Sequence, residues 1–318
     1  MILKPREDSR AAIDALESLL HHPAANSHDR HQILRQIDAI RAGDMGESSA
    51  AYYADVFFGA SKNWAVIHDL RVEHQGFVAQ IDHILIGRLF DVWVLESKRF
   101  RNGIKIDERG ECITWSGRRP IAVESPIEQN RRHVRILQDL LDAGRIPLPR
   151  RLGLPIKPKL RSLVLIAEGR ISRPNAPVPG IETVIKTDQL RNTVIQHGDT
   201  GNPLDLMKLV GPDTLESFAR ALVDLHSPIT RDWERQFRLA NRTPPATKPL
   251  KTADPVPVVP PPAASIEKAP SRKSAGSCAT CAAPLSAGVA RFCKANEDRF
   301  GGQLLCMTCQ PKALRRAG

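Results

Sequence analysis

Gln80-Ile81-Asp82-His83-Ile84-Leu85-Ile86-Gly87 and Asp91-Val92-Trp93-Val94-Leu95-Glu96-Ser97-Lys98 are the two stretches on which the reading of this chain turns. Both are apolar runs rich in β-branched residues, bounded by turn-forming positions, as strands are. Charge interrupts both: Asp82 sits inside the first, and Glu96 and Lys98 end the second. Side chains alternate along a strand, so Glu96 and Lys98 project to one side, about 7 Å apart. An unpaired carboxylate such as Asp82 within an apolar strand costs several kcal/mol unless metal, hydrogen bonds or a cation compensates it.

If Gly87 to Phe90 folds the two strands into a hairpin, Asp82 and Glu96 converge on one small site. Two carboxylates beside a lysine suit a hard cation that prefers oxygen ligands, Mg²⁺ (or Mn²⁺), with the Ser97 main-chain carbonyl available to complete the shell. The chemistry expected of such a set is phosphodiester hydrolysis. The ion polarises a phosphoryl oxygen and acidifies a bound water, and Lys98 stabilises developing charge or positions that water. His83 falls on the opposite strand face from Asp82 and is expected to pack or to support the site from behind.

Working outward, residues 9 to 42 carry apolar positions at helical spacing (Ile13, Leu16, Leu19, Leu20, then Ile33, Leu34, Ile37, Ile40) and predict two helices. A further helix is expected from Gly43. After it come strands at Trp64 to Asp69, Ala79 to Gly87 and Asp91 to Lys98, and at Gly103 to Asp107 and Cys112 to Trp115. Residues 126 to 143 return to helical spacing behind Ser125, a good cap, with Pro126 at the first helical position. The continuously apolar Leu163-Val164-Leu165-Ile166-Ala167 reads as a strand covered on both faces, which makes the fold α/β: a mixed sheet flanked by helices. One more strand near Thr183, a capped helix after Thr187 and helix through residues 215 to 239 follow. From Thr243 to Pro270 the composition collapses into Pro, Ala, Lys and Val, as in an extended linker.

The expected organisation is a helical extension over 1–42, a catalytic α/β domain over 43–195, a helical appendage over 196–242, a Pro-rich disordered linker over 243–272 and a cysteine module over 273–318. In that module Cys278-Ala-Thr-Cys281 and Cys306-Met-Thr-Cys309 are two Cys-x-x-Cys knuckles spaced for tetrahedral Zn²⁺. So short a segment buries too little to fold without its metal. Cys293 lies between the knuckles as the odd thiol, and Cys112 stands apart as an ordinary packed one.

The formal charge is +11 over 318 residues, which favours polyanionic partners. Residues 243 to 318 hold 11 Lys or Arg against 4 Asp or Glu, so most of that excess lies in the tail. There Arg291, Lys294, Arg299, Lys312, Arg315 and Arg316, with Phe292 and Phe300 for stacking, suit nucleic-acid contact. No secretory signal or long apolar run is read, so a cytoplasmic protein with no membrane partner is expected.

Asp82, thirteen intervening residues and Glu96-Ser97-Lys98 resemble the Asp-(x)n-(Asp/Glu)-x-Lys signature of the restriction-endonuclease-like superfamily. Within it the chain resembles the nuclease-related domain family. Gly46-Glu47 on a helix, Gln80-Ile81-Asp82-His83, Glu96-x-Lys98, Gly103, Trp115 and Ser125-Pro126-Ile127-Glu128-Gln129 carry the likeness, over roughly residues 43 to 145. The resemblance implies a restriction-endonuclease-like mixed sheet, a divalent-metal nuclease acting on DNA, and roles for Glu47 and Gln129 in holding metal or substrate. It also implies a small zinc-ribbon-like module that assists DNA binding. Two departures stand out: Arg88-Leu89-Phe90-Asp91 fills a turn that is glycine-rich in the family, and Ser97 replaces the commoner Thr. The rival reading is a DNA-binding or scaffolding protein whose nuclease-like fold does not cut.

Overall fold

The computed structural model describes residues 1–198, 207–240, 242, 276–285, 287–294, 297–306 and 309. The linker expected at 243–272 lies outside them, as do Lys312, Arg315 and Arg316 and the side chains of Phe292 and Arg299. The chain divides into two compact units, Met1–Thr247 and Lys248–Gly318.

The first unit is built on a six-stranded mixed sheet. Its core is a meander of β2 (Trp64–His74), β3 (Phe77–Gly87) and β4 (Asp91–Lys98), each antiparallel to the next. β10 (Lys159–Ile166) and β12 (Val184–Lys186) extend it on one side and β1 (Ile2–Lys4) on the other, all with parallel pairing. Between β4 and β10 the chain makes β5 (Ile104–Ile106), β6 (Cys112–Ser116) and β7 (Arg119–Val123), which join β11 (Ile171–Ser172) in a second, four-stranded sheet. A two-stranded ribbon of β8 (Arg150–Arg151) and β9 (Leu154–Pro155) precedes β10. The expected mixed α/β architecture is what forms.

Helices cover both faces of the main sheet. On one side α2 (Ser27–Ala54) lays Ala50 and Ala54, with Phe58 just beyond it, against Val66, Leu85, Trp93 and Leu95. On the other, α3 (Pro126–Asp142) and α5 (Pro212–Val223) pack Leu137, Leu140, Phe218 and Leu222 against Ile84, Ile86, Val92 and Val94. Each such fully buried side chain contributes roughly 1.5–3 kcal/mol. Two shorter helices complete this part, α1 (Arg10–Leu19) packed on α2, and α4 (Leu190–Gly198). A last turn, α6 (Trp233–Gln236), closes over α1 and α2 through Trp233.

Three local findings differ from the sequence reading. The first residues are not helical: Ile2–Lys4 form the edge strand of the main sheet, so the N-terminal stretch is part of the same layer as Asp82. The helix expected to open at Gly43 is the second half of α2, which starts sixteen residues earlier at a capping box. There the Asn26 side chain accepts from Asp29 N–H and the Asp29 carboxylate accepts from Asn26 N–H. Neither Gly43 nor Gly46 stops it, since glycine weakens a helix by only ~1 kcal/mol and the packed face more than offsets that. The third concerns the turn after β3, where Phe90 adopts φ 62°. A bulky residue is strained there, and Phe90 is held by complete burial against Phe218, ring centroids 4.7 Å apart.

In the second unit a small core of Leu285, Phe300 and Leu305 packs with Cys278, Cys293 and Cys309. Two short helices, α7 (Ala287–Lys294) and α8 (Glu297–Phe300), lie between the knuckles.

Candidate metal sites

At the C-terminal end of β4 the sheet opens. The β3–β4 register runs from Ile86↔Val92 to His83↔Leu95, and one further step brings Asp82 opposite Glu96. The ladder is replaced there by a side chain: Asp82 Oδ2 accepts both the Ser97 N–H and the Ser97 hydroxyl, each at 2.8 Å. The resulting pocket, of about 510 Å³, is lined by Glu47 from α2, Gln80 and Asp82 from β3, Glu96, Ser97 and Lys98 from β4, and Gln129 and His133 from α3. All five residues singled out for catalysis in the sequence thus face one cavity, and His133 faces it from one turn beyond Gln129.

Two features let the helices approach so closely. Gly46 is buried, and a Cβ there would stand 3.2 Å from Arg99 Cβ and 3.4 Å from the Arg99 backbone nitrogen, so α2 lies almost on the strand end. On the other side, buried Asn130 donates from its amide to the carbonyls of Val94 (2.9 Å) and Leu163 (3.0 Å) and to the Ser162 hydroxyl (2.8 Å). That fixes α3 on β4 and β10 and turns Gln129 and His133 to the pocket.

The electrostatics are crowded. Glu96 is fully buried, with Lys98 Nζ 2.6 Å from Oε1 and His133 Nδ1 3.4 Å from Oε2. Neither oxygen receives an aligned hydrogen bond, and the same holds for His133 Nδ1. Burial, then the charge of Glu96, pushes Asp82 up to about 8 against the pull of the Ser97 N–H. Burial likewise raises Glu47, although Arg6 Nη2 reaches its Oε2 at 3.2 Å while holding Asp44 at 2.7 Å. Lys98 is raised: burial works against its charge, and Glu96, with Asp82 and Glu47, outweighs it. Oxygen donors kept reluctant to ionise, with buried oxygens lacking aligned partners, are the donor set a hard divalent cation would relieve. The three acids nonetheless do not form a group with ligand oxygens all within 4.8 Å, and Glu47 is drawn aside by Arg6.

Among the described residues the group that does close to that distance is Cys278, Cys281, Cys306 and Cys309. Cys281 Sγ and Cys306 Sγ are 3.6 Å apart, near the ~3.8 Å separation that tetrahedral Zn–S bonds of ~2.3 Å impose. No disulfide joins any of the six cysteines. Backbone N–H groups, that of Cys306 foremost, bring the Cys278 thiol down to about 6, whereas the neighbouring sulfurs, Cys306 first, push Cys309 up to about 12. Four sulfurs this close cannot all ionise without a cation among them, and the set fits Zn²⁺. Cys293 stands outside it, buried, with Sγ donating to Leu305 O at 3.3 Å and accepting from Leu305 N at 3.4 Å.

Some neighbours of the pocket escaped the sequence reading. Arg6 comes from the segment expected to be a helical extension. Asp69 interrupts β2 at φ 51°, its Oδ2 accepting the Glu7 N–H at 2.6 Å, and its charge adds to the pressure on Glu47. Both line a larger cleft, about 710 Å³, that shares Gly43, Glu47 and Gln80 with the pocket. His68 pairs with His83 behind the sheet. Only Asp69, a charge inside an apolar run, carried a signal that could have been used.

The first unit is a mixed α/β domain holding a small acidic pocket at a splayed strand end, and the second holds four cysteines close enough together to bind one metal ion. Residues 42–166 match the family model of the nuclease-related domain, NERD. Comparison with curated proteins and with solved structures gives no significant match. The matched stretch holds Glu47, Asp82, Glu96, Lys98 and Gln129, while β1 and β12 of the same sheet fall outside it. Among the described residues no helix is long and apolar enough to cross a membrane.

Proposed function

We propose that the domain is a restriction-endonuclease-like nuclease, an endo- or exodeoxyribonuclease hydrolysing DNA phosphodiester bonds in the cytoplasm with Mg²⁺ (or Mn²⁺). The observation that carries the reading is the single pocket shared by Asp82, Glu96, Lys98, Glu47 and Gln129 in a domain of nuclease-related sequence. Asp82 and Glu96, with the Ser97 carbonyl, would hold the ion, and Glu47 and Gln129 would complete the site from the flanking helices. When bound, the ion supplies Lewis-acid polarisation of the phosphoryl oxygen and an acidified water. Lys98 keeps its charge beside Glu96 and can stabilise the developing oxyanion or orient the water. Ser97 fixes Asp82 through two hydrogen bonds, so that one ligand is set before the ion arrives. His133, packed on Glu96, limits that side chain to one orientation. The cysteine module, with structural Zn²⁺ on Cys278, Cys281, Cys306 and Cys309, would assist nucleic-acid binding.

A second reading, a DNA-binding or scaffolding protein that does not cut, is favoured by one observation: Lys98 and Arg6 already neutralise Glu96 and Glu47. Incubating the full chain with plasmid and linear DNA, in Mg²⁺ or EDTA, beside Asp82→Ala separates the two. Mg²⁺-dependent cleavage lost in the variant is expected. Binding without cleavage would support the scaffold, and equal cleavage by both proteins would discredit the pocket.

A further inference from the structure

The ribbon of β8 and β9 has no part in the pocket. At its base Leu148 and Ile156 pack on the main core, the Ile156 N–H donates to Pro149 O at 2.8 Å, and Pro147, Pro149, Pro155 and Pro158 stiffen both arms. Beyond that anchor the tip is bare. Leu152 is 97% exposed and Leu154 71%. Arg151 donates to the carbonyls of Met207 and Leu209, each at 2.5 Å, which brings a third apolar side chain, Met207, 62% exposed, to the same place.

The backbone does not ask for leucine at this position. Leu152 (φ 50°) and Gly153 (φ 81°) are the two turn residues between the paired Arg151 and Leu154, and both are left-handed. Asn-Gly is the preferred pair for such a turn, and leucine is strained in it. A strained side chain without packing in its own fold points to a contact outside that fold.

Charge identifies the partner. From Ala143 to Ala167 there are six Lys or Arg and no Asp or Glu. Lys157 and Arg161 pair with Asp142 and Asp91, whereas Arg145, Arg150, Arg151 and Lys159 are exposed and have no acidic partner among the described residues. A narrow ribbon with cationic flanks and an apolar tip suits the minor groove of DNA. There the cations lie against phosphates and the apolar residue wedges between base steps, kinking the duplex.

We propose that the β8–β9 ribbon is a second DNA contact, in which Arg150 and Lys159 face phosphates and Leu152 wedges into the minor groove. The inference rests on the reading of DNA as the substrate of the domain. β4 and β10 run in register from Asp91↔Lys159 to Lys98↔Ile166, so the ribbon joins the sheet five residues, or ~17 Å, from Glu96. That is the length of ~5 base pairs. The ribbon therefore holds duplex flanking the cut and takes no part in the chemistry.

The test uses the full chain with its zinc module loaded and no added Mg²⁺, so that binding is read without cleavage. A duplex of ~30 base pairs labelled at both ends is followed by anisotropy and by energy transfer between the labels. Leu152→Asn removes the apolar tip and installs the pair the turn prefers, so its Tm should equal or exceed that of the wild type. Wild type should bring the duplex ends closer together. Leu152→Asn should bind about 10-fold more weakly, as the loss of one buried leucine implies, and leave the duplex straight. Arg150→Ala should keep the kink and lower the slope of log affinity against log salt by about 0.9. With Mg²⁺ present, Leu152→Asn should raise KM for cleavage and leave kcat unchanged. Wild-type affinity and bending in Leu152→Asn overturns the proposal. So does binding to phosphatidylglycerol vesicles that Leu152→Asn abolishes while its DNA binding is untouched. Failure of the wild type to cut DNA would remove the nuclease reading alone, because the affinity and bending measurements decide this one without it.

Discussion

Replacing Asp82 by Asn should stabilise the metal-free protein at alkaline pH while abolishing its response to Mg²⁺. In the folded protein the carboxyl is pushed up to about 8, first by burial and then by Glu96, from a value of 3.8. Between those two pH values the native state binds the proton and the unfolded chain does not, so stability falls as pH rises through that window and levels off above it. At ~1.36 kcal/mol per pH unit the full interval would amount to ~6 kcal/mol. Asp82 keeps some contact with solvent in the pocket, and screening reduces the expectation to ~2–3 kcal/mol. In a unit of this size that is a Tm difference of ~5–10 °C. The amide oxygen of the variant can still accept from Ser97, so little is lost in exchange. The assay is thermal unfolding of both proteins from pH 4 to pH 9.5 in a chelator too weak to strip zinc: the curves should coincide near pH 4 and diverge up to pH 9. Adding Mg²⁺ at ~100 times its dissociation constant should then raise the wild type by ~2.7 kcal/mol and leave the variant unmoved. Parallel Tm-against-pH curves would refute the electrostatic argument, and an equal Mg²⁺ response would refute the assignment of Asp82 as a ligand.

Cys306→Ser should release the zinc of the C-terminal unit, which element analysis and loss of protease resistance in that segment would register, without lowering the Tm of the first unit. Gly46→Leu adds a side chain where the Arg99 backbone nitrogen is 3.4 Å from a Cβ. It should force α2 off the strand end, and cleavage should fall at least 10-fold with a Tm loss of ~1–3 kcal/mol equivalent; unchanged activity would show that the approach of α2 is not needed. Asn130→Ala strips donors from two buried carbonyls and should destabilise by ~2–3 kcal/mol in chemical denaturation, with unchanged stability counting against the role of Asn130 as the anchor of α3.

The strands were legible because period-two alternation, β-branched content and turn residues agree along Gln80–Gly87 and Asp91–Lys98, and β4 begins and ends where the sequence placed it. Ser125 and Pro126 marked the start of α3 for equally local reasons. What depended on distant partners was not legible. Ile2–Lys4 is too short to show a period, and only its pairing with β2 makes it a strand. Phe90 at positive φ reads as a poor turn residue until Phe218, more than a hundred positions later, supplies its packing. At the pocket, spacing along one strand placed Glu96 and Lys98 together, but Arg6 reaches Glu47 from 41 residues away and no periodicity encodes that. The four-cysteine cluster was legible because its thiols are paired in sequence.

The three pocket acids are compensated by three unrelated devices. Asp82 takes an N–H and a hydroxyl from the neighbouring strand, Glu96 takes the ammonium of its own strand two residues on, and Glu47 takes a guanidinium from the chain's first residues. Each device is incomplete: Asp82 still resists ionisation, the Glu96 oxygens lack aligned donors, and Arg6 divides itself between Glu47 and Asp44. A fold optimised only for stability would replace such a set with apolar residues of similar volume, as the strands on either side have done. Buried polar atoms without aligned partners also occur at His83, Arg71 and Thr187, but among the described residues the carboxyls pushed upward by burial are confined to the strand end where α2 and α3 close in. That confinement argues that the unresolved charge serves a ligand, and it makes Lys98 and Arg6 groups that an entering cation must compete with.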